Sequence, residues 1–351
     1  MTAMGKRVTL ADVAQESQVS VSTVSLALRD KPGIPPETRE RVLRAAYALG
    51  YRSDQPKATV IQEAGPNSRS RSLGVIVKTE PNVPPQGNPF YSHVLAGIAD
   101  ACLNKRIHLL YTHLRVDGHN LPIEVPPVLT GDVAEGVFLV GMYVSEPLQR
   151  MLQERNLPVV LVDSYTSSDI YDAVVSDNFE GAYQAVNYLV KRGHRHIGIV
   201  GSGPNAYPSI RERREGYLKA LSDRGIDATY CADCVSANDE PVEASKTLLQ
   251  RHPEVTALFT ANDSVAIAVM RAAQAMGRRL PADLSIVSFD DIDTAQYLTP
   301  ALTTMRVDKV GMGRMAVQLL INRLEFPDSS LVTAVLRPHL VERDSVISLP
   351  A

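Results

Sequence analysis

Apolar residues recur along this chain at two spacings, and the change comes near residue 73. The first sixty residues carry a helical period. Thr9 stands ahead of Leu10-Ala11-Asp12-Val13-Ala14, a hydroxyl cap before apolar positions, and Leu10, Val13, Ala14 and Ser17 share one face. That helix should stop near Gln18, with Val19 as a buried turn residue. Ser20 then caps a second short helix, Val21 to Leu28. Val21, Val24 and Leu28 are expected to point inward, with Ser22, Thr23, Leu26 and Arg29 on the opposite face. Pro35-Pro36-Glu37 opens a third helix, and its apolar positions Val42, Leu43, Ala46 and Leu49 precede Gly50 as a stop. Three short helices with a tight turn between the first two make a helix-turn-helix candidate. The hydroxyls of Ser20, Ser22, Thr23 and Ser25 suit phosphates and base edges.

Residues 52 to 72 are polar and punctuated by proline, glycine and serine, as at a domain boundary. From Leu73 onward, apolar runs of strand length alternate with amphipathic helical stretches. The strands are Leu73 to Val77, Ile107 to Tyr111, Val137 to Val140, Val159 to Val162, Ile197 to Val200, Ala257 to Thr260 and Leu284 to Phe289. The helices between them include Tyr91 to Asn104, Gly181 to Arg192, Arg213 to Arg224 and Val265 to Met276. That alternation implies parallel, doubly wound α/β sheets, and the length implies two of them.

Four strands run into polar residues of one kind: Asp163, Asp177-Asn178, Asn262-Asp263 and Asp290-Asp291. Ligands of open α/β sheets bind beyond the carboxyl ends of the strands. Any one such residue is more often a helix cap. Four together suit a ligand with many hydroxyls or exocyclic amines, and Arg213 can add a forked donor. Rival chemistry is weaker. Gly198 to Gly203 lacks the dinucleotide spacing, and Cys231-Ala232-Asp233-Cys234 has no second cysteine pair. Adjacent Asp290 and Asp291 point different ways, whereas a glycosidase needs carboxyls facing across the bond. No nucleophile and base constellation emerges. An enzyme, a cofactor and a metal are therefore not expected.

Net charge changes the picture only when divided. The 351 residues hold 36 basic and 39 acidic side chains, for −3 overall. Residues 1 to 60 contain nine basic and six acidic residues (+3), leaving 27 and 33 (−6) for the remainder. A small basic module is joined to a large acidic one. No apolar run reaches the ~18 residues of a membrane span, and the N-terminus lacks a signal-peptide core. With three cysteines, the expectation is a reduced, cytoplasmic protein bound to no membrane.

Val8-Thr9-Leu10-Ala11-Asp12-Val13-Ala14, Val19 to Ser25, Thr38-Arg39-Glu40-Arg41-Val42 and Leu49-Gly50-Tyr51 together resemble the headpiece of the lactose-repressor (LacI/GalR) family of transcription regulators. Asn88 to Tyr91, Val174 to Glu180, Arg192 to Gly198, Arg213 to Gly216, Thr260 to Asp263 and Leu302-Thr303-Thr304 extend the likeness along the large module. The resemblance implies an all-α headpiece at 1–60, a linker or hinge at 61–72, and an effector-binding and dimerisation domain at 73–351. That domain is similar to type I periplasmic sugar-binding proteins, with three crossovers and a ligand cleft. Its lobes are expected at about 73–169 with 301–325, and about 170–300 with 326–351. The implied DNA-binding residues are Thr9, Ser20, Val21, Ser22, Thr23, Ser25, Leu26 and Arg29. Val21, Ser22 and Leu26 would face bases, while Ser20, Thr23 and Ser25 would chiefly hold phosphates. The implied effector contacts are Phe90, Tyr91, Asp163, Arg213, Asn262 and Asp290, with Asp177, Ser92 and Phe289 beside them.

Three departures stand out, one of them Arg29, which stands where Asn is common and could serve either phosphate or base. Leu26 occupies a position usually held by Arg, and can pack on a thymine methyl but cannot fork onto guanine. The hinge motif is degraded, with Ala58 and Val60 where Arg and Leu are usual. The implied partners are double-stranded operator DNA, a second copy of the chain in a homodimer, and a small-molecule effector. A sugar is the first reading of that effector and a purine or nucleoside the alternative. A sugar-binding protein or a sugar-acting enzyme is the more distant reading.

Overall fold

The computed structural model describes residues 8–28, 34–49, 51, 71–79, 88–117, 121–204, 206–234 and 240–350. Arg29, Gly50, Ala58 and Val60 lie outside the described residues. The chain divides into two compact units, residues 1–69 and 70–351, with the division inside the expected linker.

In the first unit, α1 (Leu10–Ser17), α2 (Val21–Leu28) and α3 (Pro36–Ala48) pack around Val13, Ala14, Val24, Ala27, Val42, Ala45 and Ala46. Thr9 and Asp12 cap α1 reciprocally: Thr9 N–H donates to Asp12 Oδ2 at 2.6 Å, and Asp12 N–H donates to Thr9 Oγ1 at 3.4 Å. Gln18 ends that helix in the left-handed conformation, φ 52°. Ser20 Oγ accepts the Thr23 N–H at 3.1 Å and starts α2. Two expected inward residues face out. Val21 is 47% exposed and Leu43 48%, and Ala27 and Ala45 hold the core instead. Helical side chains lean toward the N-terminus, so Val21, first in its helix, reaches past the core. Leu43 sits a quarter-turn from Val42, on the flank of α3.

The second unit begins with β1 (Ser72–Thr79), α4 (Pro89–Asn104), β2 (His108–Arg115), α5 (Pro127–Thr130), β3 (Gly136–Val140) and β4 (Tyr143–Val144). It continues through α6 (Glu146–Glu154), β5 (Val159–Val162), β6 (Tyr165–Thr166), β7 (Asp172–Ser176), α7 (Asn178–Lys191) and β8 (Ile197–Val200). There follow α8 (Pro208–Ser222), β9 (Tyr230–Ala232), α9 (Glu240–Arg251), β10 (Ala257–Thr260), α10 (Asp263–Ala275) and β11 (Ser285–Asp290). A 3-10 turn (Asp293–Tyr297), β12 (Thr303–Arg306), α11 (Lys309–Glu325), β13 (Thr333–Leu336) and β14 (His339–Val341) complete it.

Twelve of these strands make two six-stranded sheets, ordered β13-β7-β5-β3-β1-β2 and β14-β12-β11-β10-β8-β9, parallel except for antiparallel β14 on β12, and β4 pairs with β6 apart from them. Each sheet with its flanking helices is one lobe, and the chain crosses between them after β7, after β12 and after β13. Strand pairing moves the lobe limits from those expected. Asp172–Ser176 pairs with β5 and Thr333–Leu336 with β7, so both belong to the first lobe. Thr303–Arg306 pairs with β11 and belongs to the second. The apolar pattern marks these segments as strands but carries no record of their partners. Backbone closeness helps to set the first lobe: a Cβ on Gly97 would stand 2.2 Å from Val310 O, and one on Gly313 2.2 Å from Val94 O, so α4 and α11 touch along their backbones.

Candidate functional site

On the headpiece, α2 presents Val21, Ser22 and Leu26 outward, with Leu26 43% exposed. Ser20 Oγ lies 2.8 Å from both Ser22 Oγ and Thr23 Oγ1. Val21 and the hydroxyl cluster therefore sit at the helix N-terminus, where backbone N–H groups favour phosphate, and Leu26 stands in the last turn of the same helix. Thr9 is exposed and engaged in its own capping box, and Ser25 is half-buried.

In the second unit, the carboxyl ends of both sheets meet around a cavity of about 130 Å³. At roughly 10–15 Å³ per water position this holds on the order of ten heavy atoms, the size of one sugar ring or one base. Phe90, Tyr91 and Asp163 line it from the first lobe, and Tyr207, Ser209, Arg213, Asn262, Ser264 and Asp290 from the second. Ile210 and Ile292 add apolar walls.

Each polar wall is fixed by local chemistry. Asp163 leaves β5 at φ +46° and Asp290 ends β11 at φ +108°, both turned out of the extended path that would bury them in the sheets. Aspartate tolerates the first conformation, while the second costs about 1–3 kcal/mol. Tyr91 Oη donates to Asp163 Oδ2 at 2.8 Å, and its ring rests on Gly141, where a Cβ would come within 2.5 Å. Tyr207 of the second lobe donates across the cleft to Asp163 O at 3.0 Å. Arg213, 4% exposed, donates through Nη1 to Ala261 O at 2.6 Å and through Nε to Asn178 Oδ1 at 3.0 Å. Its guanidinium stacks 3.8 Å over the Phe289 ring and brings Nη2 3.1 Å from Asp290 Oδ1, which lacks an aligned donor.

Burial pushes the Asp163 carboxyl up to about 7, against the opposing Tyr91 hydrogen bond and Arg213 charge. Burial also raises Asp290, which Arg213 and then Lys309 counter, and raises Asp263 to about 7 with the help of the Asp290 charge. Asp291 differs. Burial would raise it, but Arg306 at 2.5 Å and Arg343 at 2.7 Å prevail and hold it low. It is an ion-pair anchor behind the site, whereas Asp290 faces the cavity.

Phe90, Tyr91, Asp163, Arg213, Asn262 and Asp290 thus come together. Phe90 is 6% exposed and meets Tyr91 edge to face, with centroids 5.2 Å apart, so the two rings form no parallel platform. Phe289 is fully buried beneath Arg213, outside the lining. Asp177 also lies outside it, its carboxylate capping α7 through the Glu180 N–H at 3.1 Å. Ser92 bonds to Pro89 O within its own helix turn. Asn262 does both tasks, capping α10 at 2.9 Å while lining the cavity. Tyr207, Ser209, Ser264 and Ile292 escaped the sequence reading. The signal for the first two was Pro208, which starts α8 five residues before Arg213 and puts its first turn at the cleft. Among the described residues no group of three or more His, Cys, Asp or Glu can hold a metal, and no helix is long and apolar enough to cross a membrane.

A helix-turn-helix unit followed by a two-lobed α/β unit with a polar cleft defines a ligand-responsive regulator architecture. The model for bacterial regulatory proteins of the lacI family matches residues 9–54, and that for a periplasmic binding protein-like domain matches residues 186–346. The chain is 30% identical to the ribose operon repressor of Haemophilus influenzae over 346 residues, 97% of this chain and 99% of that one. It is 29% identical over 349 residues to the transcriptional repressor PurR of Photorhabdus laumondii, 97% and 98% of the two chains. The solved complex of the transcriptional regulator CelR with cellobiose superposes with a TM-score of 0.69 at 28% identity, over 97% of this chain and all of that one. The chain belongs to the lacI family of bacterial regulatory proteins.

Proposed function

We propose that the chain is a cytoplasmic transcriptional repressor that binds operator DNA as a homodimer and whose operator affinity is set by a small polar ligand in the cleft. The convergence of Asp163, Arg213, Asn262 and Asp290 from two sheets on one ring-sized cavity carries this reading. Val21, Ser22 and Leu26 read bases, and Ser20 and Thr23 hold phosphates. One headpiece makes too few contacts for specific affinity, so two copies act on a pseudo-palindromic site. Edge strand β2 and the end of α4 support a dimer face, with Leu103 76% and Tyr111 51% exposed.

The ligand is a sugar. The cavity offers carboxylate, amide, hydroxyl and guanidinium groups to hydroxyls, flanked by isoleucines, and its size fits a single ring. The ribose operon repressor and the CelR–cellobiose complex, both similar to this chain, support that class. Closure around the ligand changes headpiece spacing, and a coupling of roughly 1–3 kcal/mol alters operator affinity about 5- to 150-fold. A thermal-shift screen of sugars and nucleobases tests the site: a stabilising sugar whose effect vanishes in Asp290→Ala supports it, and a stabilising purine transfers the proposal to that class.

A further inference from the structure

We infer that Asn178 is the positioning residue that aims Arg213 into the cavity and makes that aim depend on the relation between the lobes. The inference rests on reading the cleft as the effector site. Asn178 lies outside the cavity lining and is 1% exposed, as the first residue of α7 just after the chain crosses from the first lobe to the second. Its Oδ1 accepts the Arg213 Nε–H at 3.0 Å. The amide cannot be turned the other way, because Nδ2 against the guanidinium would set donor against donor. With Nη1 tied to Ala261 O and the ring of Phe289 beneath, the Nε bond fixes the remaining rotation of the guanidinium, and with it the place of Nη2 beside Asp290.

The other end of the same amide is over-subscribed. Nδ2 carries two protons and lies within bonding distance of three acceptors: Ser176 O at 3.0 Å, Glu212 Oε2 at 3.0 Å and Tyr165 Oη at 3.3 Å. Ser176 and Tyr165 belong to the first lobe, Glu212 and Arg213 to the second. The amide settles where the lobes place those oxygens, and turning it draws Oδ1 off Nε. Helix capping does not require this side chain, since Asp177 already caps α7. A buried amide that serves an arginine of the cavity with one atom and both lobes with the other is a joint between ligand and lobe geometry.

The test needs no ligand. The full chain is labelled with 15N-arginine, and the Arg213 Nε–H resonance is identified by its loss in Arg213→Lys. Buried and bonded, it should exchange slowly in the parent protein. Asn178→Leu, near in size but without an acceptor, should speed that exchange about five- to tenfold, a hydrogen bond's worth. Asn178→Asp keeps the acceptor and should stay within about twofold of the parent, although its carboxylate faces three acceptors and lowers the Tm more than leucine does. Tyr165→Phe should move the resonance and leave it protected. Should leucine not fold, Asn178→Ala, which also lacks an acceptor, makes the same comparison. A merely structural role gives the reverse order, with exchange following stability and aspartate worse than leucine. That order, unchanged exchange in Asn178→Leu, or a parent resonance exchanging like an exposed arginine would each overturn the assignment. Failure here leaves the effector reading to its own thermal-shift test.

Discussion

Replacing Asp163 by asparagine should stabilise the protein while disabling its cleft. The carboxyl is 6% exposed and titrates at about 7, some three units above an ordinary aspartate near 3.9. A raised folded-state value means the native state holds the proton more tightly than the unfolded chain does. Stability from this group is therefore fully present below about pH 4 and is lost as pH rises toward 7. Three units at 1.36 kcal/mol each give at most about 4 kcal/mol of penalty above pH 7, and roughly half or more of it, about 2–3 kcal/mol, accumulates between pH 5 and pH 8. Asparagine keeps an oxygen for the Tyr91 hydroxyl, which donates at 2.8 Å, and carries no charge to desolvate. Urea unfolding of the parent and Asp163→Asn at both pH values reads the difference directly. The variant should gain up to about 4 kcal/mol at pH 8, and its advantage should shrink by about 2–3 kcal/mol at pH 5. An Asp163→Asn protein less stable than the parent at pH 8, or one whose advantage ignores pH, would refute the reasoning.

Other substitutions separate the parts of the molecule. Asp290→Ala should erase any ligand-induced rise in Tm and leave operator binding intact in a mobility-shift assay. Leu26→Arg should turn the selected half-site toward guanine at the facing base pair, with about 1–3 kcal/mol of discrimination, in a randomised-operator selection. Ser20→Ala should weaken binding to all sequences alike and cost α2 about 1 kcal/mol in unfolding measurements, because Ser20 both caps that helix and stands at its phosphate-facing end. Asp172→Asn should destabilise the large unit by about 1–3 kcal/mol in urea, since the buried carboxylate pairs with Arg323 at 2.9 Å and the amide leaves that half-buried cation only the carbonyls of Pro327, Ser329 and Ser330.

Much of this was legible in the residues. Caps wrote the headpiece, with Thr9 and Ser20 placing α1 and α2 at their observed starts. Strand cores were equally plain, because a four-residue apolar run such as Val159–Val162 can only be buried in a sheet covered on both faces. The helices of the large unit began two to five residues ahead of their apolar pattern, at Pro89, Asn178, Pro208 and Asp263, since caps and prolines rather than apolar periods set where a helix starts. What sequence could not show was partnership. Asp177 and Asn178 are adjacent and polar. The first turned back to cap its own helix while the second faced Arg213, a choice made by the direction of the chain at the crossover. Val21 and Phe289 make the same point from opposite sides: helix position exposed the one, and the guanidinium above it sealed the other.

The central claim is that cleft occupancy controls operator affinity. Fluorescence anisotropy of a selected operator duplex, titrated with protein at fixed salt with and without the sugar that stabilises the cleft, tests it most directly. The account predicts a change of about 5- to 150-fold in operator affinity for the parent and none for Asp290→Ala. A sugar that stabilises the protein through Asp290 yet leaves operator affinity unchanged would contradict it.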